Sequence, residues 1–229
     1  MNKVLLIAFV ICTFFLSAKE KPANIIFGVK TGYGWFNHDE LKMLNRTVIS
    51  SLPFNSTIID EFEPSLNYGA YSQFEILPRF FLGLEYFHFY TGSRLGQKDF
   101  SGYYSFDQYL ESNALGLKFG YELLKINKFS FNTYANSGLS LSNWQVESNL
   151  NTGTQIVNKT DKLKGVNWYV WPEAVCNFNL SGNMSFIGSI GYSIDLTRNY
   201  KSESKLDVEL TRNPDWSGFR MSLGLQYKL

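Results

Sequence analysis

The chain has 229 residues, 21 basic against 20 acidic; only 18% of residues are charged, while 17% are aromatic. Near-neutrality excludes the strong field that draws nucleic acid or an acidic substrate, so no nucleic-acid partner is expected.

Lys3 precedes an apolar run from Val4 to Leu16 in which Thr13 is the only polar side chain, and Ser17-Ala18 follows. A basic start, about a dozen apolar residues and a small-residue exit predict a secretory signal over 1–18, cleaved after Ala18. The run is too short for a bilayer-crossing helix, which needs about 20 residues. Cleavage would remove Lys3, leaving 20 basic and 20 acidic residues, and would take Cys12 with it. Cys176 then has no intramolecular disulfide partner. Residues 19–229 are expected to form one domain. No later stretch approaches the roughly 18 apolar residues of a membrane helix.

From Ile25 onward the sequence shows eight alternating segments and no helical periodicity. The first, Ile25 to Phe36, sets Phe27, Val29, Tyr33 and Trp35 against Gly28, Lys30, Gly32 and Gly34. The next run about Tyr68–Leu77, Phe80–Thr91, Glu111–Leu123, Phe129–Ser142, Val166–Leu180 and Met184–Thr197. The last, Gly218 to Leu229, alternates Phe219, Met221, Leu223, Leu225, Tyr227 and Leu229 with polar or small residues up to the final position. Segments of about ten residues suit tilted strands that cross a membrane.

The connections alternate too. Leu77-Pro78-Arg79-Phe80, Lys125-Ile126-Asn127-Lys128 and Ser181-Gly182-Asn183 predict tight turns. The stretches 37–67, 92–109, 143–165 and 198–217 predict long polar loops on the opposite rim. Within the first, Thr47–Ile49 and Thr57–Ile59 could pair as a hairpin above the membrane, while a ten-strand barrel is the weaker count. Pro172 falls inside the sixth strand, where it cannot donate to the ladder, and lies near the outer rim, where a bulge is tolerable.

Alternation alone does not say which face meets lipid. Gly28, Gly32, Gly34, Gly83, Gly116, Gly120, Gly138, Gly191 and Gly224 all fall on the polar face. A water-washed exterior would carry Lys and Glu there, whereas the narrow interior of an eight-strand barrel needs small groups. The bulky Leu, Phe, Tyr and Trp face therefore points to lipid. The predicted fold is all-β: an eight-stranded antiparallel up-and-down transmembrane barrel with short periplasmic turns and long extracellular loops. Trp35, Tyr86, Tyr90, Tyr121, Trp168, Tyr192 and Tyr227 fit interface belts.

The spacing Ser222–x–Gly224–x–x–Tyr227–x–Leu229 resembles the C-terminal assembly signal of bacterial outer-membrane barrels, with Leu229 where Phe is usual. With the signal segment, eight strands and alternating loop lengths, the whole mature chain resembles the small eight-stranded outer-membrane barrels of the OmpA and OmpX type. The resemblance implies an outer-membrane location in a Gram-negative-type bacterium and a barrel without the peptidoglycan-binding domain of some members. It also implies two partners: outer-membrane lipid, and the barrel-assembly machinery acting on Gly224, Tyr227 and Leu229.

The inner face carries Glu75, Glu85, Glu122, Glu173 and Asp195 with Lys30, Lys118, Arg220 and Lys228, which predicts an ion-pair network filling the lumen. Glu85 and Lys118 should be neighbours on adjacent strands. A conducting pore is the alternative role for these charges. No cofactor, metal or catalytic residue is predicted. The expected role is structural or surface contact, as in adhesion or envelope integrity, with an external ligand at 37–67, 92–109, 143–165 or 198–217. The first of these loops is acidic (Asp39, Glu40, Asp60, Glu61 and Glu63). A lipid A-modifying enzyme is an alternative, but only His38 and His88 could supply its base. Ser93 lies five residues beyond His88, and Tyr90 stands where a His-x-Ser pairing would need serine. A lateral opening at Pro172 for small apolar molecules is a further alternative.

Overall fold

A computed structural model describes residues 25–100, 102–153, 155–197, 200–202 and 213–229. The expected signal segment 1–18 lies outside them. In chain order the elements are β1 (Ile25–Phe36), α1 (Asp39–Ser51), β2 (Thr57–Glu61), β3 (Ser65–Leu77), β4 (Phe80–Asp99) and β5 (Gly102–Ile126). They continue with β6 (Phe129–Asn151), β7 (Ile156–Asn179), β8 (Met184–Asp195), β9 (Tyr200–Ser202) and β10 (Gly218–Lys228).

Eight strands close a ring. β1 pairs β3 on one side and β10 on the other, and β3, β4, β5, β6, β7, β8 and β10 follow in sequence, every pairing antiparallel. Closure leaves no unpaired edge within the hydrocarbon layer, where an orphaned backbone group would be costly. The seam is fastened at its base, where the Leu229 N–H donates to the Ile25 carbonyl at 2.8 Å. The other two strands stand outside the ring: β2 pairs the upper part of β4, and β9 pairs β7 at Gly165, Lys164 and Leu163.

Exposure follows the predicted face. Val29, Leu84, Leu115, Leu117, Leu141, Ile190 and Leu223 are exposed, while Lys30, Glu85, Lys118, Asn136 and Ser222 are buried. The bulky side thus meets acyl chains and the glycine-bearing side encloses the lumen.

Three features of the long-loop rim differ from the sequence reading. First, α1 occupies the middle of 37–67. Leu41, Leu44 and Val48 recur at helical spacing, Asp39 and Glu40 sit in its first turn where the helix dipole favours acids, and its first turn closes on the His38 carbonyl. Thr47–Ile49 is therefore helical, and Thr57–Glu61 pairs β4 instead. Second, 92–109 and 143–165 are mostly hairpin. β4 to β7 run for 20, 25, 23 and 24 residues, about twice a membrane span, and their ladders continue to Asp99↔Gly102 and Asn151↔Ile156. Sequence reading stopped where the outer face turned polar, but the backbone pairing does not. Third, Pro172 makes no bulge. The β7–β8 register is the same on either side of it, at Val170↔Ile194 and Glu173↔Gly191, and the pairs between them are missing.

Candidate functional site

The lumen is the first place where the fold gathers chemistry. Lys30 of β1, Glu85 of β4, Lys118 of β5 and Glu173 of β7 meet at its centre, all buried. Lys118 Nζ lies 2.6 Å from Glu85 Oε2 and 2.7 Å from Glu173 Oε2, and Lys30 Nζ lies 2.7 Å from Glu173 Oε1 and 3.4 Å from Glu85 Oε2. Two lysines and two carboxylates balance, so each buried charge keeps an opposite partner, which such burial requires.

Aromatic rings pack around these charges. Lys118 Nζ sits 4.0 Å from the Tyr134 ring centre, and Lys30 Nζ sits 4.9 Å from that of Phe87 and 5.0 Å from that of Trp171. Arg220 lies higher, 4.0 Å from the Phe89 ring and 4.9 Å from the Trp171 ring, and makes no ion pair among the described residues. The inner glycines make room for these rings. A Cβ at Gly28 would overlap Tyr71, at Gly120 Tyr134, at Gly116 Tyr169 and at Gly191 Trp171. The lumen is therefore aromatic as well as polar, which alternation had not shown. Phe87, Phe89 and Trp171 share parity with the charged residues, and that parity was the available signal.

Above Arg220 the lumen is closed by a cap. Phe36, Leu41, Phe62, Phe89, Trp144 and Trp216 form one buried apolar cluster, so α1 lies over the mouth. The cap also holds a polar chain: Trp144 Nε1 donates to Gln108 Oε1 at 3.1 Å, Gln108 Nε2 to Asn45 Oδ1 at 2.6 Å, and Asn45 Nδ2 to Ser93 Oγ at 3.2 Å. His38 is buried against Phe62 and Trp216, at 5.1 and 5.2 Å between ring centres. Burial holds its pKa down to about 3, and Lys42 adds a smaller push in the same direction.

The other predicted lumen charges lie apart from the central four. Glu75 sits beside the Pro78 turn, where its Oε1 accepts the Arg79 N–H at 3.2 Å. Glu122 is half-buried at the same rim, and Lys228 is exposed near the base of the seam. Asp195 is buried near the top, accepting the Trp216 N–H at 3.4 Å. The predicted nine-membered network is thus a four-membered centre, with Arg220 and Asp195 above it and three rim charges below. The cause is height: parity places all nine on one face, but a side chain spans only one or two rungs. Of the assembly residues, Gly224 stands opposite Lys30 in the seam, where a Cβ would strike the β1 backbone; Tyr227 and Leu229 are exposed.

A second polar group lies outside the barrel. His88 faces lipid and stacks on Tyr68 with ring centres 4.8 Å apart. Its Nδ1 is 3.1 Å from Asn113 Oδ1 and 3.8 Å from Glu111 Oε1; Asn113 Nδ2 donates to Glu111 Oε1 at 3.3 Å and the Tyr86 hydroxyl to Asn113 Oδ1 at 2.7 Å. Ser93 is on the opposite face of the sheet, buried beneath the cap. His88 shares its parity with the exposed Leu84 and Tyr86, but only cross-strand register brings Asn113 and Glu111 beside it.

No protein-family model and no characterised protein matches this chain. Solved structures match its fold. A major outer membrane protein from Thermus thermophilus matches with a TM-score of 0.51 at 12% identity, covering 90% of this chain and 99% of that one. Neisserial surface protein A matches at 0.42 and 8%, covering 91% and 100%. Ail, the attachment invasion locus protein of Yersinia pestis, in complex with the heparin analogue sucrose octasulfate, matches at 0.38 and 15%, covering 90% and 99%. Eight closed strands around a polar and aromatic interior, with the hydrocarbon face outward, give this chain the small eight-stranded transmembrane β-barrel fold of the OmpA and OmpX type.

Proposed function

We propose that this barrel works through its outer surface, without catalysis and without conducting, as an adhesive or envelope-stabilising protein. The observation that carries this reading is the pair of tall hairpins, β4–β5 and β6–β7, whose ladders run on about ten residues beyond the bilayer. A paired hairpin presents a fixed contact surface, where a loose loop would lose entropy on binding. The packed lumen supports the non-conducting part: charges, rings and α1 occupy the bore in series. The non-enzymatic part is supported by His88 and Ser93 standing on opposite faces of β4, which separates a base from a nucleophile. During insertion, the barrel-assembly machinery would engage β10 through Gly224, Tyr227 and Leu229.

The test is to shorten both hairpins, joining β4 to β5 directly after Gly96 and before Ser105, and β6 to β7 after Glu147 and before Thr160, each by a two-residue turn, and to measure attachment of expressing cells to host-cell and matrix surfaces. Attachment should fall while heat-modifiable gel migration persists. Unchanged attachment, or steady conductance of the intact protein in planar bilayers, would overturn the reading. A second reading, lateral passage of small apolar molecules, is favoured by the unpaired rungs at Trp171 and Pro172. Uptake of an apolar solute that depends on Pro172 would select it.

A further inference from the structure

The segment after α1 carries Phe54 to the inner face of the tall hairpins. Its ring meets Tyr104 edge-on, with ring centres 5.6 Å apart and planes at 67°, so the two rings form a corner. Gln97 of β4 and Leu150 of β6 stand directly opposite Tyr104 on either side. A cavity of about 110 Å³ opens at this corner, lined by Phe54, Gln97, Tyr104, Leu150, Asn151 and Thr152 among others. Gln97 stands seventeen residues above Phe80, where β4 begins. At about 2.5 Å of vertical rise per tilted residue that is about 40 Å, well clear of an apolar band about 25 Å tall. The corner therefore faces water beyond the outer rim.

The rings are held and the amides are not. The Ser148 side chain engages the Tyr104 hydroxyl, and Phe54 braces the ring. Among the described residues Gln97 makes no hydrogen bond, and Asn151 uses only its Oδ1, which accepts the Gly153 N–H at 2.9 Å. No charged side chain lines the cavity among the described residues. At about 30 Å³ per water the space equals about four waters, which admits one six-membered ring and no folded peptide segment.

We propose that this corner binds one neutral pyranose ring of a glycan on an opposing surface. The faces of Phe54 and Tyr104 carry the negative side of the ring quadrupole, which suits the weakly positive C–H face of a sugar. A free amide sets a donor beside an acceptor and so matches two adjacent hydroxyls. Sulfated, phosphorylated or carboxylated sugars are disfavoured, because their charge would lose water without meeting an opposite charge. The site deepens the attachment reading, and rests on it, by naming the chemistry that the hairpins would contact.

The test is saturation-transfer NMR on the protein in phosphatidylcholine nanodiscs, with methyl glucoside, methyl galactoside and methyl mannoside as probes. Ring C–H protons of at least one hexoside should take up saturation, with a dissociation constant on the order of 1 mM. Phe54→Ala and Tyr104→Ala should each weaken binding about tenfold, the scale of one lost aromatic contact. Phe100→Ala, at the fully exposed turn between β4 and β5, should leave it unchanged. Phe54 belongs to no strand, so Phe54→Ala reads the corner even if Tyr104→Ala disturbs the hairpin. No transfer to any hexoside, transfer that survives Phe54→Ala, or stronger transfer to N-acetyltyrosinamide would overturn the proposal. Loss of the signal when the nanodiscs also carry lipopolysaccharide would overturn the opposing-surface assignment in favour of the lipid's own sugars. Absent hexoside binding with attachment still lost on hairpin shortening would sink this site alone. Hexoside binding with attachment unchanged by shortening would uphold the site and sink only the attachment reading.

Discussion

Glu173 Oε2 and Lys118 Nζ meet 2.7 Å apart in the middle of the barrel, and the other oxygen of the same carboxylate holds Lys30 at the same distance. One side chain of β7 therefore ties β1 and β5 across the lumen. Glu173→Gln leaves two buried lysines with one carboxylate and should destabilise the barrel by about 3–5 kcal/mol in urea unfolding from lipid vesicles. Replacing all four, Lys30, Glu85, Lys118 and Glu173, by methionine or leucine should recover most of that loss, since no buried charge is then unpaired. If Glu173→Gln costs nothing, the centre is hydrated rather than ion-paired.

Gly191 gives the Trp171 indole its place beside the β8 backbone. Gly191→Val should cost about 1–3 kcal/mol through overpacking in the same unfolding experiment. Trp171→Ala in the Gly191→Val background should relieve the part of the overlap that the indole causes, leaving the contact with the Pro172 carbonyl. An additive double variant would show that the two sites do not share space.

His38 makes the cap sensitive to acid. Its folded pKa is held at about 3 against an ordinary value of 6.5, so the folded state resists a proton that the open state accepts. Cap stability is then complete above about pH 6.5 and falls by about 1.4 kcal/mol per pH unit as pH drops toward 3. Protection factors of the Leu41 and Leu44 amides, corrected for the intrinsic pH dependence of exchange, should fall over that window, while those at the barrel centre do not. His38→Phe, which keeps the packing without the titration, should flatten the profile. Glu40 and Asp39 lie nearby, but their charges attract a protonated His38 and would oppose the effect.

Pro172 withholds one donor from the β7–β8 ladder. Pro172→Ala should restore that rung and stabilise the barrel by about 1 kcal/mol, the net worth of one backbone hydrogen bond. Slower exchange of the Tyr192 and Ser193 amides is the direct readout. Unchanged exchange would place the gap in strand geometry rather than in the missing N–H.

Much of the barrel was legible because membrane strands leave a period-two record. Gly83, Glu85, Lys118 and Gly120 announced their common side of the wall without any knowledge of partners. Helix α1 was not legible, because its thirteen residues lie inside a polar connection and only Leu41, Leu44 and Val48 mark its apolar stripe. The upper hairpins were missed because outside the bilayer both faces can be polar, so alternation ends where pairing continues. Of the central four charges, only Glu85 and Lys118 were close enough on adjacent strands to be joined by counting.

The sequence by itself determined the number of membrane strands, their sidedness and the face that meets lipid, since each follows from local alternation and turn chemistry. Only the tertiary structure decided which of nine luminal charges meet, that rings share the lumen with them, and that α1 shuts its mouth. Closing the ring brings β1 and β7 within one side-chain length across the bore. No local pattern encodes a distance between residues 143 positions apart in the chain, such as Lys30 and Glu173.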